Sequence, residues 1–160
     1  MDKYTWVDIG SSFLPGEVVA AFLWAQLQEA DSITAQRVAL WDGYFRRLAP
    51  RAAKAGLTLP TVPAHCAHNA HMFYLLLPRA GHRAEVLSRM NEAGVNAVFH
   101  YVPLHSSPAG RKYGRVCGTM RVTDDASARL IRLPLWADLS EAEADYVCET
   151  LLQTLGGGGG

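Results

Sequence analysis

The chain has 160 residues, of which 49% are hydrophobic and 19% charged, values typical of one globular domain with a core of its own. Its 15 basic and 15 acidic side chains cancel, which argues against a nucleic-acid-binding surface. No run of about 18 apolar residues is present, so we expect neither a transmembrane helix nor a membrane partner.

The cysteines and the N-terminus predict a cytoplasmic protein. Cys66, Cys117 and Cys148 are odd in number and widely spaced, which does not suit a disulfide framework. The N-terminus lacks the apolar core of a signal peptide. A reducing compartment is therefore the simplest expectation.

The first third of the chain predicts two helices. Pro15 and Glu17 suit a first helical turn, and we expect this helix to end near residues 31–32. Ser32 and Thr34 can cap a second helix, which ends at a glycine suited to a C-cap. The first helix carries one apolar stripe at helical spacing, made of Val19, Phe22, Leu23, Gln26, Leu27 and Ala30.

The next part alternates strands and helices. Residues 72–77 form a continuous apolar run that indicates a central strand buried on both faces. Residues 83–93 predict a helix, and residues 95–101 and 130–133 predict two more strands. Residues 106–120 are rich in glycine and predicted to be irregular. The expected fold class is α+β, a small mixed sheet covered by helices.

The C-terminal part predicts two helices. The first is short and starts at Thr123. Ser140 followed by Glu143 is a capping box at the start of the second. The five glycines at residues 156–160 are expected to form a flexible tail.

The candidate binding residues are His100, Tyr101 and His105, directly after the second predicted strand. Pro103 and Pro108 cannot donate a ladder hydrogen bond, so the chain should leave the sheet there as a stiff loop. Binding groups concentrate in loops that a rigid scaffold holds. The alternative is structural, with His100 a satisfied histidine at the strand end and Tyr101 a core residue.

Histidines and a cysteine between His65 and His71 raise the possibility of a zinc site. Two ligands three residues apart can share a helix face, and neutral imidazole suits zinc. However, Pro63 precedes this segment and an apolar strand follows it, which favours a loop with its side chains spread. We therefore expect no metal.

The order of these pieces resembles the C-terminal third to half of a sugar-nucleotide aminotransferase of the DegT/DnrJ/StrS type. The segments that carry the resemblance include YTWVDIGSS at residues 4–12, NAHMFY at 69–74 and RLIRLPL at 129–135. Residues 20–27 and 98–110 add to it. The first segment and residues 98–110 look like the branch that makes dTDP-4-amino-4,6-dideoxygalactose.

The resemblance implies the small C-terminal domain of a fold-type I enzyme that uses pyridoxal 5'-phosphate (PLP). The intact enzyme would be a homodimer that passes an amino group from glutamate to C4 of a dTDP-4-keto-6-deoxy sugar. This reaction would serve the synthesis of cell-surface polysaccharides such as lipopolysaccharide. Residues 1–31 would pack on the large domain, and residues 32–155 would form the small domain.

The family's Schiff-base lysine belongs to the large domain, so the resemblance implies a fragment that is inactive alone. The chain's lysines are Lys3, Lys54 and Lys112, and none follows a buried strand. We therefore expect no catalytic residue in this chain. Phe22 and Trp24 would be left exposed in the fragment, which predicts self-association.

The resemblance also assigns binding residues. Ser12 matches the family's asparagine that reaches the PLP phosphate across the dimer, and a hydroxyl can still donate there. His100, Tyr101 and His105 would face the nucleotide sugar. Arg121 matches a loop near the substrate, although a solvated arginine explains it equally well. The competing hypothesis is a stand-alone, non-catalytic module that binds a nucleotide sugar or another subunit.

Overall fold

The computed structural model describes residues 5–10 and 14–156. Its described part contains six α-helices and three short strands. In chain order they are α1 (Glu17–Gln28), α2 (Ala30–Ala55), β1 (Phe73–Leu76), α3 (Arg83–Glu92), β2 (Val98–Phe99), α4 (Pro108–Tyr113), α5 (Arg121–Arg129), β3 (Leu130–Leu133) and α6 (Glu141–Gly156). Two short 3₁₀ turns, Ala80–His82 and Leu104–Ser106, precede α3 and α4.

The α+β class is confirmed, but the sheet is antiparallel at every pairing instead of mixed. The strand order is β1-β3-β2, with Phe73 opposite Leu133 and Phe99 opposite Ile131. β1 and β2 follow each other along the chain with α3 between them, but they are not neighbours in the sheet. Instead β3 inserts between them and runs antiparallel to both. β1 is consequently an edge strand of this sheet. Its residues alternate between buried and half-buried, so only one of its two faces is fully buried.

The core lies between this sheet and the helices α2, α3 and α6. Tyr44 is fully buried, its ring centroid lies 5.2 Å from that of Phe73, and its hydroxyl donates to the Pro134 carbonyl at 2.8 Å. Leu48 and Leu151 are also fully buried. Truncating such a residue to alanine costs about 2–5 kcal/mol, so these contacts hold the sheet and the helices in one unit.

The junction between α1 and α2 differs from the expected capped start. The chain makes only a single-residue break at Glu29, and α2 continues from Ala30 to Ala55. Ser32 lies inside the first turn of α2, where it accepts a hydrogen bond from the Gln36 amide at 3.4 Å. The prediction that Ser32 or Thr34 caps this helix is therefore wrong. Gly56 does end it, in the left-handed conformation at φ 67°.

Residues 106–120 are more regular than predicted. They contain the last residue of the 3₁₀ turn and α4, whose first turn begins at Pro108, and only Ser107 and residues 114–120 lack a helix or strand. α5 begins at Arg121, two residues before Thr123. The capping box is confirmed: the Ser140 N–H donates to Glu143 Oε2 at 2.8 Å, and the Glu143 N–H donates to Ser140 Oγ at 3.2 Å.

Helix α1 lies outside the core. None of its residues is buried, and Val18, Phe22 and Trp24 are 84%, 69% and 66% exposed. The first buried residue of α2 is Leu40. Within the described part of the chain, no helix is both long and apolar enough to cross a membrane.

Candidate functional site

An open cavity of about 570 Å³ lies where three separate segments meet. The extended N-terminal segment forms one side, α4 with the turn before it forms the second, and the start of α5 forms the third. The floor is mostly apolar. The side chains that line it include Trp6, Ile9, Leu104, His105, Tyr113 and Met120, and its charged lining residues are Asp8 and Arg115.

Ser107 and Gly110 explain why the turn and α4 form one rigid unit. The Ser107 hydroxyl donates to the Leu104 carbonyl at 2.7 Å and accepts from the Gly110 N–H at 3.0 Å, as an N-cap residue does. A Cβ at Gly110 would lie only 1.7 Å from the Leu104 oxygen. Only glycine therefore allows the helix to pass this close to the turn that carries His105.

Backbone and side-chain hydrogen bonds dock the N-terminal segment on α4. The Ala109 N–H donates to the Trp6 carbonyl at 3.0 Å. The Asp8 carboxylate accepts from the Tyr113 hydroxyl and from the Ile9 N–H. The Tyr113 hydroxyl, followed by the Ile9 N–H, holds the pKa of Asp8 below its ordinary value. Asp8 is therefore an ionised group at the rim of the cavity.

His105 lines the cavity and is held by a carboxylate from α5. Its Nε2 lies 2.9 Å from Oδ1 of Asp124, and its side chain is only 18% exposed. A carboxylate on one ring nitrogen fixes the orientation and the tautomer of an imidazole. The ring can then present its other nitrogen as a single, defined hydrogen-bonding group.

The other predicted binding residues lie at three different places. Tyr101 is 45% exposed, and its ring centroid lies 5.5 Å from that of Trp6, which brings it beside the cavity. Arg121 lines a second depression, which shares Met120 with the first. His100 meets the Tyr101 ring edge-on at a centroid distance of 5.2 Å, and it directly follows Phe99, whose carbonyl accepts from Arg132. Ser12 lies outside the described residues.

Sequence reasoning missed Asp8 and Tyr113 as parts of the site. The two residues are 105 positions apart, so no local pattern connects them. Lys112, which falls in the stretch predicted to be irregular, is instead in α4 and lies 3.8 Å from the Asp8 carboxylate. The one usable signal was that the residues around Asp8 belong to a segment that carries the family resemblance.

The histidine-rich segment before β1 packs as a loop. The His68 ring meets Trp41 edge-on at a centroid distance of 4.7 Å. Ala70 has a positive φ of 48°, and Arg37 donates to its carbonyl at 3.1 Å and to that of His71. Among the residues described, no group of three or more His, Cys, Asp or Glu side chains could hold a metal ion.

The lysines that the structure describes do not fit a Schiff base with PLP. Such a lysine needs a partly desolvated pocket that lowers its pKa. Lys54 is exposed near the end of α2. Lys112 is also exposed, and its Nζ lies 4.6 Å from the centre of the Tyr113 ring. Lys3 lies outside the described residues.

Comparison with known proteins identifies a family to which this chain is similar. A model of the DegT/DnrJ/EryC1/StrS aminotransferase family matches residues 1–152. One curated relative is the dTDP-3-amino-3,4,6-trideoxy-alpha-D-glucose transaminase of Micromonospora megalomicea subsp. nigra, 27% identical over 88% of this chain and 37% of its own. Another is the dTDP-4-dehydro-2,3,6-trideoxy-D-glucose 4-aminotransferase of Saccharopolyspora spinosa, 29% identical over 89% and 35%. The chain thus spans little more than a third of either relative.

Two solved structures also superpose on most of this chain. DesV of S. venezuelae superposes with a TM-score of 0.74 at 26% identity, covering 85% of this chain and 35% of DesV. NtdA of Bacillus subtilis, solved with the bound cofactor PMP, gives a TM-score of 0.66 at 25% identity over 78% of this chain and 28% of NtdA.

Proposed function

The chain belongs to the DegT/DnrJ/EryC1/StrS aminotransferase family, and we propose that it forms the substrate-facing part of a transaminase for nucleotide-activated sugars. The cavity between the N-terminal segment, α4 and α5 is the observation that carries this proposal. It combines an apolar floor and two aromatic rings with the fixed imidazole of His105. A nucleotide sugar offers a flat base for the rings and hydroxyls for the imidazole.

Four predicted residues take part in this proposal. Tyr101 and His105 would contact the base and the sugar, and Arg121 would reach the diphosphate from the neighbouring depression. Asp124 would act as a positioning residue through its contact with His105. Ser12 would approach the phosphate of PLP.

We propose glutamate as the donor and C4 of a dTDP-4-keto-6-deoxy sugar as the acceptor. Glutamate would become 2-oxoglutarate while the ketone becomes an amine, giving dTDP-4-amino-4,6-dideoxygalactose for cell-surface polysaccharide. The name of the S. spinosa relative, a 4-aminotransferase, supports position 4. The resemblance of residues 4–12 to the family branch that makes dTDP-4-amino-4,6-dideoxygalactose supports this product.

The intact enzyme would use PLP, as the PMP bound in NtdA supports. Because the described lysines do not fit the cofactor, we propose that its lysine belongs to a domain outside these residues. Residues 1–31 would pack on that domain, and residues 32–155 would form the small domain of a homodimer. The three free thiols suit a cytoplasmic location. This chain alone should transfer no amino group.

Titration with dTDP tests the binding part of the proposal. The 160-residue chain should bind dTDP saturably, with quenching of tryptophan fluorescence, because Trp6 lines the cavity. Trp6→Ala should weaken binding about tenfold or more, since stacking on a base contributes about 1–3 kcal/mol. Trp136→Ala is the matched control, because that half-exposed tryptophan lies outside the cavity. Equal losses in both variants would contradict the site.

A chimera tests the reaction. Residues 1–155 would replace the matching portion of the S. spinosa 4-aminotransferase, and the product would be assayed with PLP, glutamate and a dTDP-4-keto-6-deoxy sugar. We expect an amino sugar, and much less of it after His105→Ala. A folded chimera that holds PLP and makes no amino sugar would favour the non-catalytic module instead.

A further inference from the structure

A second group of basic side chains lies on the less buried face of the sheet, away from the cavity described above. Arg132 occupies the central strand, opposite Tyr74 on β1 and Val98 on β2. Together with His71 and Asn96 it lines a small cavity of about 190 Å³. None of the residues lining this cavity also lines the cavity at His105.

Two polar atoms of this group are buried without a partner. Arg132 donates through Nη2 to the Phe99 carbonyl at 3.2 Å, but its Nε has no hydrogen-bond partner in the described part of the chain. The same holds for Nδ1 of His100. Buried donors that stay unsatisfied are rare in folded proteins, and each calls for an explanation such as a bound ion.

The charges around this group also favour a bound anion. Arg132 reaches the carbonyl of Phe99, the residue directly before His100. Burial lowers the pKa of His100, and the charges of Arg132 and His71 lower it further. The residues that line the small cavity include no carboxylate. Within the described residues, none of the three basic groups has an ion-pair partner. A half-buried guanidinium in such surroundings favours an anion.

We propose that Arg132 and His71, which line this cavity, form with the neighbouring His100 a binding site for a small oxyanion, either a carboxylate or a phosphate group. The guanidinium edge that includes Nε matches two oxygens of such a group, and the tautomer of His100 with hydrogen on Nδ1 can donate to it. At about 190 Å³, the cavity is smaller than the roughly 300–1,000 Å³ of pockets that hold drug-sized ligands. It therefore suits a small acid or phosphate instead of a nucleotide.

NMR of the histidine rings tests this site without PLP or any sugar. The 160-residue chain would be titrated separately with inorganic phosphate and with L-glutamate, at constant ionic strength set by chloride. We expect saturable shifts of the His71 and His100 ring signals with at least one of the two probes. The pKa of His100 should rise when the anion binds, because a negative charge favours the imidazolium. Binding of phosphate alone identifies a phosphate site, and binding of glutamate alone identifies a carboxylate site.

Variants separate a specific site from general attraction. Arg132→Gln should weaken binding about tenfold or more, since hydrogen bonds to charged groups are among the strong ones. His71→Gln is the second variant, because His71 is exposed and should not disturb the core. Arg79→Gln removes an exposed arginine that lines neither cavity, and it should leave binding unchanged.

Two results would overturn the proposal. One is the absence of saturable shifts with both probes beyond those that chloride alone produces. The other is unchanged affinity in folded Arg132→Gln and His71→Gln chains. Because the site at His105 is tested with dTDP, either result leaves the proposed function untouched.

Discussion

Gly110 and Asp8 are single residues on which the shape of the cavity depends. Gly110 lets α4 approach the turn Leu104–Ser106, and Asp8 ties the N-terminal segment to α4 through Tyr113. A glycine-rich stretch in the sequence suggested flexibility. In the folded chain the same glycine is a packing requirement, because the closest atom is a backbone carbonyl that cannot move aside.

Gly110→Ala should therefore destabilise the protein. The new methyl group would overlap the Leu104 carbonyl, and overpacking of this kind costs about 1–3 kcal/mol. Gly81→Ala is the matched control, since nothing lies within 4 Å of a Cβ there. Urea unfolding followed by circular dichroism measures both variants, and similar midpoints for the two would contradict the close approach.

His105 and Asp124 show what local sequence can and cannot reveal at this scale. The proline-bounded segment after β2 indicated that His105 lies in a fixed loop. The contact with Asp124 joins residues 19 positions apart on different elements, so it depends on how α5 packs beside the turn.

Two helix ends, the start of α6 and the end of α2, were predicted correctly from the sequence at the scale of elements. The capping box at α6 and the glycine C-cap of α2 depend on hydrogen bonds within a few residues. The start of α2 was predicted less well, because Ser32 had a cap-like sequence but the chain was already helical at Ala30. Because Ala30 and Asp31 are already helical, Ser32 lies inside the helix and cannot act as its N-cap.

Ser140→Ala should lower the free energy of unfolding by about 1 kcal/mol, the usual cost of losing an N-cap. Ser88→Ala is the control, because Ser88 also bonds a glutamate but lies inside α3. Its effect should stay within about 0.5 kcal/mol. A loss in Ser88→Ala as large as that in Ser140→Ala would contradict the capping role.

The same box predicts a pH dependence. The Ser140 hydroxyl, followed by the Ser140 N–H, holds the pKa of Glu143 below its ordinary value. A lowered carboxyl pKa stabilises the fold above the unfolded pKa, and this contribution disappears as the pH falls through the folded value. NMR titration of the Glu143 carboxyl should show its pKa rising towards the ordinary value in Ser140→Ala.

At the scale of the whole molecule, α1 is the element that the fold leaves uncovered. It carries one charged residue, Glu17, and exposes large apolar side chains around its axis. A helix that is apolar all round is normally buried. The sequence predicted a single stripe, but Val18 and Trp24 extend the apolar surface beyond it, and no residue of α1 is buried in this chain.

We expect the chain to self-associate through α1 at micromolar concentrations. Phe22→Ser with Trp24→Ser should shift sedimentation towards the monomer, because it removes one large exposed apolar group from each of two sides of α1. Val122→Ser removes a single exposed apolar side chain, 84% exposed on α5, and should leave the association unchanged. A wild-type chain that stays monomeric would contradict this prediction.

The sequence by itself determined the class of the fold, most helix and strand positions, and the family. These depend on periodicity, caps and local motifs, which short stretches carry without reference to the rest of the chain. Only the tertiary structure decided that β3 lies between β1 and β2, that Asp8 meets Tyr113, and that Asp124 holds His105. The physical reason is that these contacts join residues far apart in sequence, where packing of the core selects the partner and local propensity has no influence.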